Sequence, residues 1–81
     1  MIIKYPLGTE KSIRLMEAEN KLIFIVDEKA TKSEIKEALK ERFNADVASV
    51  NTHNMLGKKK AVVTFGEKTL AIDIATTLGL L

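Results

Sequence analysis

The residues best equipped for chemistry lie between Val47 and Lys60. That stretch holds no Asp or Glu, and it carries Asn51, Thr52, His53 and Asn54 followed by three consecutive lysines, Lys58, Lys59 and Lys60. Amide, hydroxyl and imidazole groups make directional hydrogen bonds, whereas ammonium groups supply charge. Docking on phosphate uses both: lysines displace condensed counterions and the polar side chains fix position. The same lysines also fit two plainer roles, a solvated hairpin tip and an edge strand kept from aggregating by its charge.

The distribution of charge isolates this stretch. Thirteen basic and eleven acidic residues leave a net charge of +2. The first 46 residues are neutral, Val47 to Lys60 adds three positive charges, and the last 21 residues return one negative charge. A neutral body therefore carries one cationic loop. Lys11 and Lys4, outside the loop, are either further phosphate contacts or ordinary surface lysines.

Catalytic and metal chemistry are poorly served. The absence of Cys removes disulfides, thiolate zinc sites and thiol catalysis, and His53 is the sole imidazole. No phosphate-cradling glycine loop, nucleophile elbow or helical metal motif occurs. His53 also lacks a neighbouring nucleophile and a residue to orient it as a general base. The chain is read as non-enzymatic, with no cofactor and no metal. Its longest apolar run, Leu22 to Val26, is far short of the roughly 20 residues of a membrane helix. Met1-Ile2-Ile3-Lys4 lacks the order of regions of a signal peptide, so the expectation is a cytoplasmic protein without membrane insertion.

These groups must be held by a small scaffold. Eighty-one residues supply one hydrophobic core, so 1–81 is read as one domain. Ile2 to Tyr5 predicts a short edge strand stopped by Pro6, followed by a turn through Gly8. Thr9 should cap a helix running to about Glu19, with Glu10 and Arg14 paired at i,i+4, a partial apolar stripe of Ile13, Met16 and Ala18, and Asn20 as a left-handed stop. Lys21 to Asp27 is apolar without alternation, which predicts a strand buried on both faces by helices on both sides. Thr31 and Glu34 form a capping box for a helix over 32–43, with Ile35, Ala38, Leu39 and Phe43 on its inner face. Its outer Lys36, Glu37, Lys40 and Glu41 read as a solvated surface.

Val47 to Asn54 and Lys59 to Phe65 then form a hairpin around Met55 to Lys58, with Gly57 free to take a positive φ. Within the second strand, Ala61, Val63 and Phe65 share one face and Lys60, Val62 and Thr64 the other. Gly66 ends it, and Thr69 is expected to cap a last helix with Leu70, Ile74, Ala75 and Leu78 inward and Gly79 as its stop. The fold class is α+β: a small, mostly antiparallel sheet in the order β-α-β-α-β-β-α, sandwiched by helices. Phe24 lies in a buried strand and Phe65 is alone, so stacking of bases on paired sheet aromatics is not expected.

Five blocks taken in order carry a resemblance: Pro6-Leu7-Gly8-Thr9-Glu10-Lys11-Ser12, Asn20-Lys21, Ala30-Thr31-Lys32, Val50-Asn51-Thr52, and Gly57-Lys58-Lys59-Lys60-Ala61-Val62-Val63. Together they resemble the universal large-subunit ribosomal protein family numbered twenty-three, in register from about Ile2 to Leu80-Leu81. Phe65, where the family usually has Leu, and Gly66, where it has a polar residue, depart from the pattern. Bacterial members insert a long basic arm between the positions matching Thr52 and Lys59, reaching into the nascent-chain tunnel. Here only His53 to Lys58 intervene, so no arm is expected. Eukaryotic members carry a long basic N-terminal extension, whereas Met1 here directly precedes the first strand, so the archaeal type is the expected one.

The resemblance implies binding to large-subunit rRNA at the mouth of the polypeptide exit tunnel. It implies as partners the neighbouring large-subunit ribosomal proteins and, at the tunnel mouth, signal recognition particle, translocon or other nascent-chain factors. The implied rRNA-binding residues are Asn51, Thr52, His53, Asn54, Lys58, Lys59 and Lys60, then Lys11 and Lys4. Glu10 matches the acidic residue by which bacterial members hold trigger factor, which implies an exposed protein-docking position; a helix-dipole residue paired with Arg14 is the other reading. The isolated chain is expected to be a monomer. The competing functional class is a protein-only interaction module whose lysines are incidental.

Overall fold

The computed structural model describes residues 2–80. Readings that fall on Met1 and Leu81 lie outside the described residues. The elements are β1 (Ile3–Pro6), α1 (Glu10–Glu19), β2 (Lys21–Val26), α2 (Lys32–Phe43), β3 (Val47–Met55), β4 (Lys58–Phe65) and α3 (Ala71–Thr77), in the order expected. The four strands form one sheet in the spatial order β1-β2-β4-β3, and every neighbouring pair is antiparallel. The β1 strand runs through Pro6 instead of stopping before it. At a sheet edge the missing proline N–H faces no partner strand, and Leu7 then donates to the Ile23 carbonyl at 2.8 Å.

Local chemistry sets the helix ends. The Thr9 side chain accepts from the Ser12 amide at 3.2 Å, and Asn20 closes α1 at φ 56. Both bonds of the Thr31–Glu34 capping box form, at 3.2 and 3.0 Å. The last helix departs from expectation. Its N-cap is Leu70, which makes no capping bond, while the Thr69 hydroxyl accepts instead from the Asp46 amide at 2.7 Å. Asn20 supplies the missing cap from another part of the chain: its Oδ1 accepts the Ala71 N–H at 2.7 Å and its Nδ2 donates to the Thr69 carbonyl at 2.9 Å. One side chain thus joins the α1–β2 junction to the end of β4 and the start of α3.

Strand alternation and register divide the sheet into two faces. Leu22, Phe24 and Val26 lie opposite Val63, Ala61 and Lys59, and Val50 and Thr52 opposite Val63 and Ala61, so these residues share one face. Their buried members form one core with Met16 of α1, Ile35 and Leu39 of α2, and Ala71, Ile74 and Ala75 of α3. The helices therefore gather on this face instead of covering both. As expected, β2 is buried on both sides, but Ile23 and Ile25 stand apart from that core, flanked across the strands by Tyr5, Lys60 and Val62. A central strand keeps large side chains dry between neighbours without a second helical layer. On α1 the inward positions are Ser12, Ile13 and Met16, while Ala18 is exposed. Ser12, 1% exposed, shares its hydroxyl proton between the Leu7 and Thr9 carbonyls at 2.7 and 2.8 Å. Leu70, expected inward on α3, is 55% exposed.

The β3–β4 hairpin is tighter than read. Met55 pairs with Lys58, leaving a two-residue turn of Leu56 (φ 48) and Gly57 (φ 78). Positive φ at both central residues is the pattern of a type I′ turn, whose twist matches the strands it joins. Leu in that conformation costs about 1–2 kcal/mol, since its Cβ crowds the following carbonyl. At the far end of β4, the space that a β-carbon on Gly66 would need is filled by the Asp46 carboxylate, and Phe65 is buried opposite Val47. The two departures from the family pattern thus fall where the β4 end packs on the segment entering β3.

Candidate nucleic-acid interface

Propensity and pleat together position the cationic groups. The lysine triplet continues into Ala61-Val62-Val63, a β-favouring run, so it becomes strand and its side chains alternate. Lys58 and Lys60 point to the open face and Lys59 to the helical face. The Lys59 ammonium donates to the Ala30 carbonyl at 2.6 Å, just ahead of α2. Lys60 is half-buried across from Ile25, its stem over apolar surface. The Lys58 ammonium lies 3.3 Å from the Tyr5 hydroxyl, to which it donates across the width of β2.

The polar quartet divides the same way. Asn51 and His53, both exposed, lie opposite Val62 and Lys60 on the open face. Thr52 and Asn54 lie opposite Ala61 and Lys59 on the other face, Thr52 half-buried and Asn54 exposed. Of the nine basic and polar residues singled out, the fold thus brings Asn51, His53, Lys58 and Lys60 together. Lys4 is exposed at the irregularity between Ile3 and Tyr5 in β1, and Lys11 is exposed in the first turn of α1. Glu10 is also exposed there, its carboxylate 2.8 Å from the Arg14 guanidinium.

Two open-face residues were not anticipated. Tyr5, 44% exposed, and Lys21, opposite Thr64, extend the face from the hairpin to the other edge of the sheet. The signal for them was present in the strands themselves. The four strands contain Lys4, Lys21, Lys58, Lys59 and Lys60 and no Asp or Glu, so all eleven acids lie on helices and connections. The acid-free zone therefore extends in space well beyond the acid-free stretch of chain. Such a surface can neutralise a row of phosphates and place amide, imidazole and phenol groups among them. Among the described residues no cluster of His, Asp and Glu has the makings of a metal site, and no helix is long and apolar enough to cross a membrane.

Known proteins agree with this geometry. A family model described as Ribosomal protein L23 matches residues 1–76. The large ribosomal subunit protein uL23 of Methanococcus vannielii is 46% identical over 80 residues, covering 98% of this chain and 93% of its own. Those of Methanococcus maripaludis (strain S2 / LL) and Methanococcus aeolicus are 44% and 42% identical over the same span. These relatives are archaeal, in keeping with the short hairpin. The family is structural, without a catalytic role, and that supports the non-enzymatic reading of the motifs. With both the family model and these relatives spanning nearly its whole length, the chain belongs to the ribosomal protein L23 family.

Proposed function

We propose that residues 1–81 act as one ribosomal-protein domain, a structural constituent of the large subunit in the cytoplasm, which binds large-subunit rRNA near the mouth of the polypeptide exit tunnel. The printed name of the relatives supports the subunit. The observation that carries RNA binding is the acid-free sheet with its open face. Lys58 and Lys60 neutralise phosphates there, Asn51 and His53 fix position by hydrogen bonds, and Lys4, Lys11 and Lys21 extend the contact at its margins. Lys59, Thr52 and Asn54 contribute from the rim of the hairpin. Recognition is by shape and backbone, with no chemical step. Neighbouring large-subunit proteins and nascent-chain factors such as signal recognition particle or translocon meet the side away from the RNA, where Glu10 is exposed.

The test is binding of the purified chain to a large-subunit rRNA fragment across several salt concentrations, with an unrelated structured RNA as competitor. Log affinity should fall with log salt with a slope of roughly −2 to −3 from the hairpin lysines, and the competitor should fail to displace the fragment. Weak binding displaced equally by any RNA would sink this function and favour the protein-only module.

A further inference from the structure

One residue of the hairpin is unexplained by folding. Leu56 is fully exposed, buries no surface in the chain, and holds φ 48, a conformation that leucine adopts at a cost. Asn in its place would complete the Asn-Gly pair favoured in such turns. Met55 beside it is 55% exposed, so the tip presents two adjacent apolar side chains to solvent. Lys58 and Lys59 stand directly behind them on opposite faces, and no acid occurs anywhere in the hairpin from Val47 to Phe65.

We propose that Leu56, supported by Met55, is an apolar anchor that seats against unpaired bases of the RNA held by the lysines. The charge around the tip selects the occupant: a protein surface meeting Lys58 and Lys59 would find no acid on this hairpin with which to pair its own cations, whereas an RNA loop or bulge offers phosphates to the lysines and apolar base faces to the leucine. Regular A-form helix does not fit, because its major groove is too deep and narrow for side chains, while unstacked bases are open to packing. Apolar side chains wedged against bases are an established way of holding nucleic acid. This inference rests on the rRNA-binding reading and adds to it a contact that involves no counterion.

That difference separates the anchor from the lysines in experiment. Leu56→Asn relieves the turn, so its thermal midpoint should rise, while its affinity for the large-subunit rRNA fragment should fall about tenfold, or about 1.4 kcal/mol. The salt slope should stay at the wild-type value, because no phosphate contact is lost. Leu56→Met, apolar at the same backbone angle, should retain wild-type affinity. Unchanged affinity in Leu56→Asn would overturn the anchor and leave protein as the occupant of the tip, with RNA binding itself intact. A flattened slope in that variant would also overturn it, by showing that the turn acts through the lysines. Absence of salt-steep rRNA binding by the wild-type chain would remove the RNA reading and the anchor with it.

Discussion

The two faces of the sheet are made by the same four strands and differ in everything that bears on a partner. On the helical side Leu22, Phe24, Val26, Ala61, Val63 and Phe65 are each 4% exposed or less and lie beneath three helices. Outside that layer the helices carry both signs of charge, as in Lys36, Glu37, Lys40 and Glu41, together with exposed Leu70 and Ile72. On the open side Tyr5, Asn51, His53, Lys58 and Lys60 surround a small dry strip of Ile23, Ile25 and Val62, with no acid. Strand propensity alone does not produce this pattern, since it disfavours Lys as well as Asp and Glu, yet five lysines remain in the strands. The division of labour is electrostatic. One face holds the fold together and the other is kept clear of charges that would repel a polyanion.

The comparison breaks first, and most visibly, at Phe24. This side chain is completely buried beneath the helices, and Phe24→Ala should cost about 4 kcal/mol, much of the roughly 4–12 kcal/mol expected for a domain of this size. Ile25→Ala, its neighbour on the open face, should cost only about 2 kcal/mol, because solvent and the stems of Tyr5 and Lys60 can fill the space. Urea denaturation of both variants measures the contrast, and equal costs would mean that the open face is as much a core as the covered one. Asn20→Ala comes next, at about 2–3 kcal/mol. It strands the Ala71 N–H and the Thr69 carbonyl and leaves alanine at φ 56. Asn20→Gly should recover the backbone part of that loss and not the hydrogen bonds.

Much of this was readable from residue order, and the part that was not has a common cause. The Thr9 cap, the Thr31–Glu34 box, the Glu10–Arg14 pair and the left-handed Asn20 each involve residues within four positions of one another, where types and spacing suffice. The cap of α3 was misread because Thr69 has the right type at the right spacing, but a partner 51 residues away took the role once the chain folded. Helices on both faces were inferred from the unalternating Leu22 to Val26, yet a strand between two others is also dried by its neighbours' side chains. In the candidate site, the lysine triplet was found as a cluster, whereas the pleat sends Lys59 away from Lys58 and Lys60. The period-two pattern of Ala61, Val63 and Phe65 already contained that outcome. Tyr5 and Lys21 joined the site only through the order β1-β2-β4-β3, which no short spacing encodes.

A pair of double variants sharpens the electrostatic half of the comparison. Replacing Lys58 and Lys60 by Ala should make the log affinity–log salt slope for the rRNA fragment shallower by about 2, one charge for each phosphate released. Replacing Lys36 and Lys40 of α2 removes the same charge from the helical layer and should leave the slope where it was. Equal effects of the two pairs would mean that net charge alone governs binding and that the open face has no special part in it. Lys59→Ala should fall between, since its ammonium is engaged by the Ala30 carbonyl at 2.6 Å and must be shared with any phosphate.

The smallest expected effect lies at the border between the two regions. Asp27 directly follows β2 and is the first acid the chain meets on leaving that strand. Its carboxylate accepts the Lys29 N–H at 2.9 Å, and that bond, followed by the nearby Lys4 and Lys29 charges, holds its pKa below the ordinary 3.8. A carboxylate with a lowered folded pKa binds its proton more readily in the unfolded chain. Its stabilisation is therefore complete above about 3.8 and is lost as the pH falls below that value through the folded pKa. Asp27→Asn keeps an oxygen for the Lys29 amide but cannot titrate, so near pH 7 it should be only slightly less stable than wild type, and the two should converge as the pH falls below 3.8. Urea midpoints recorded from pH 7 down to pH 3 would show the gap closing. A gap that widened in acid would mean that Asp27 is held by something other than the amide bond and cations seen beside it.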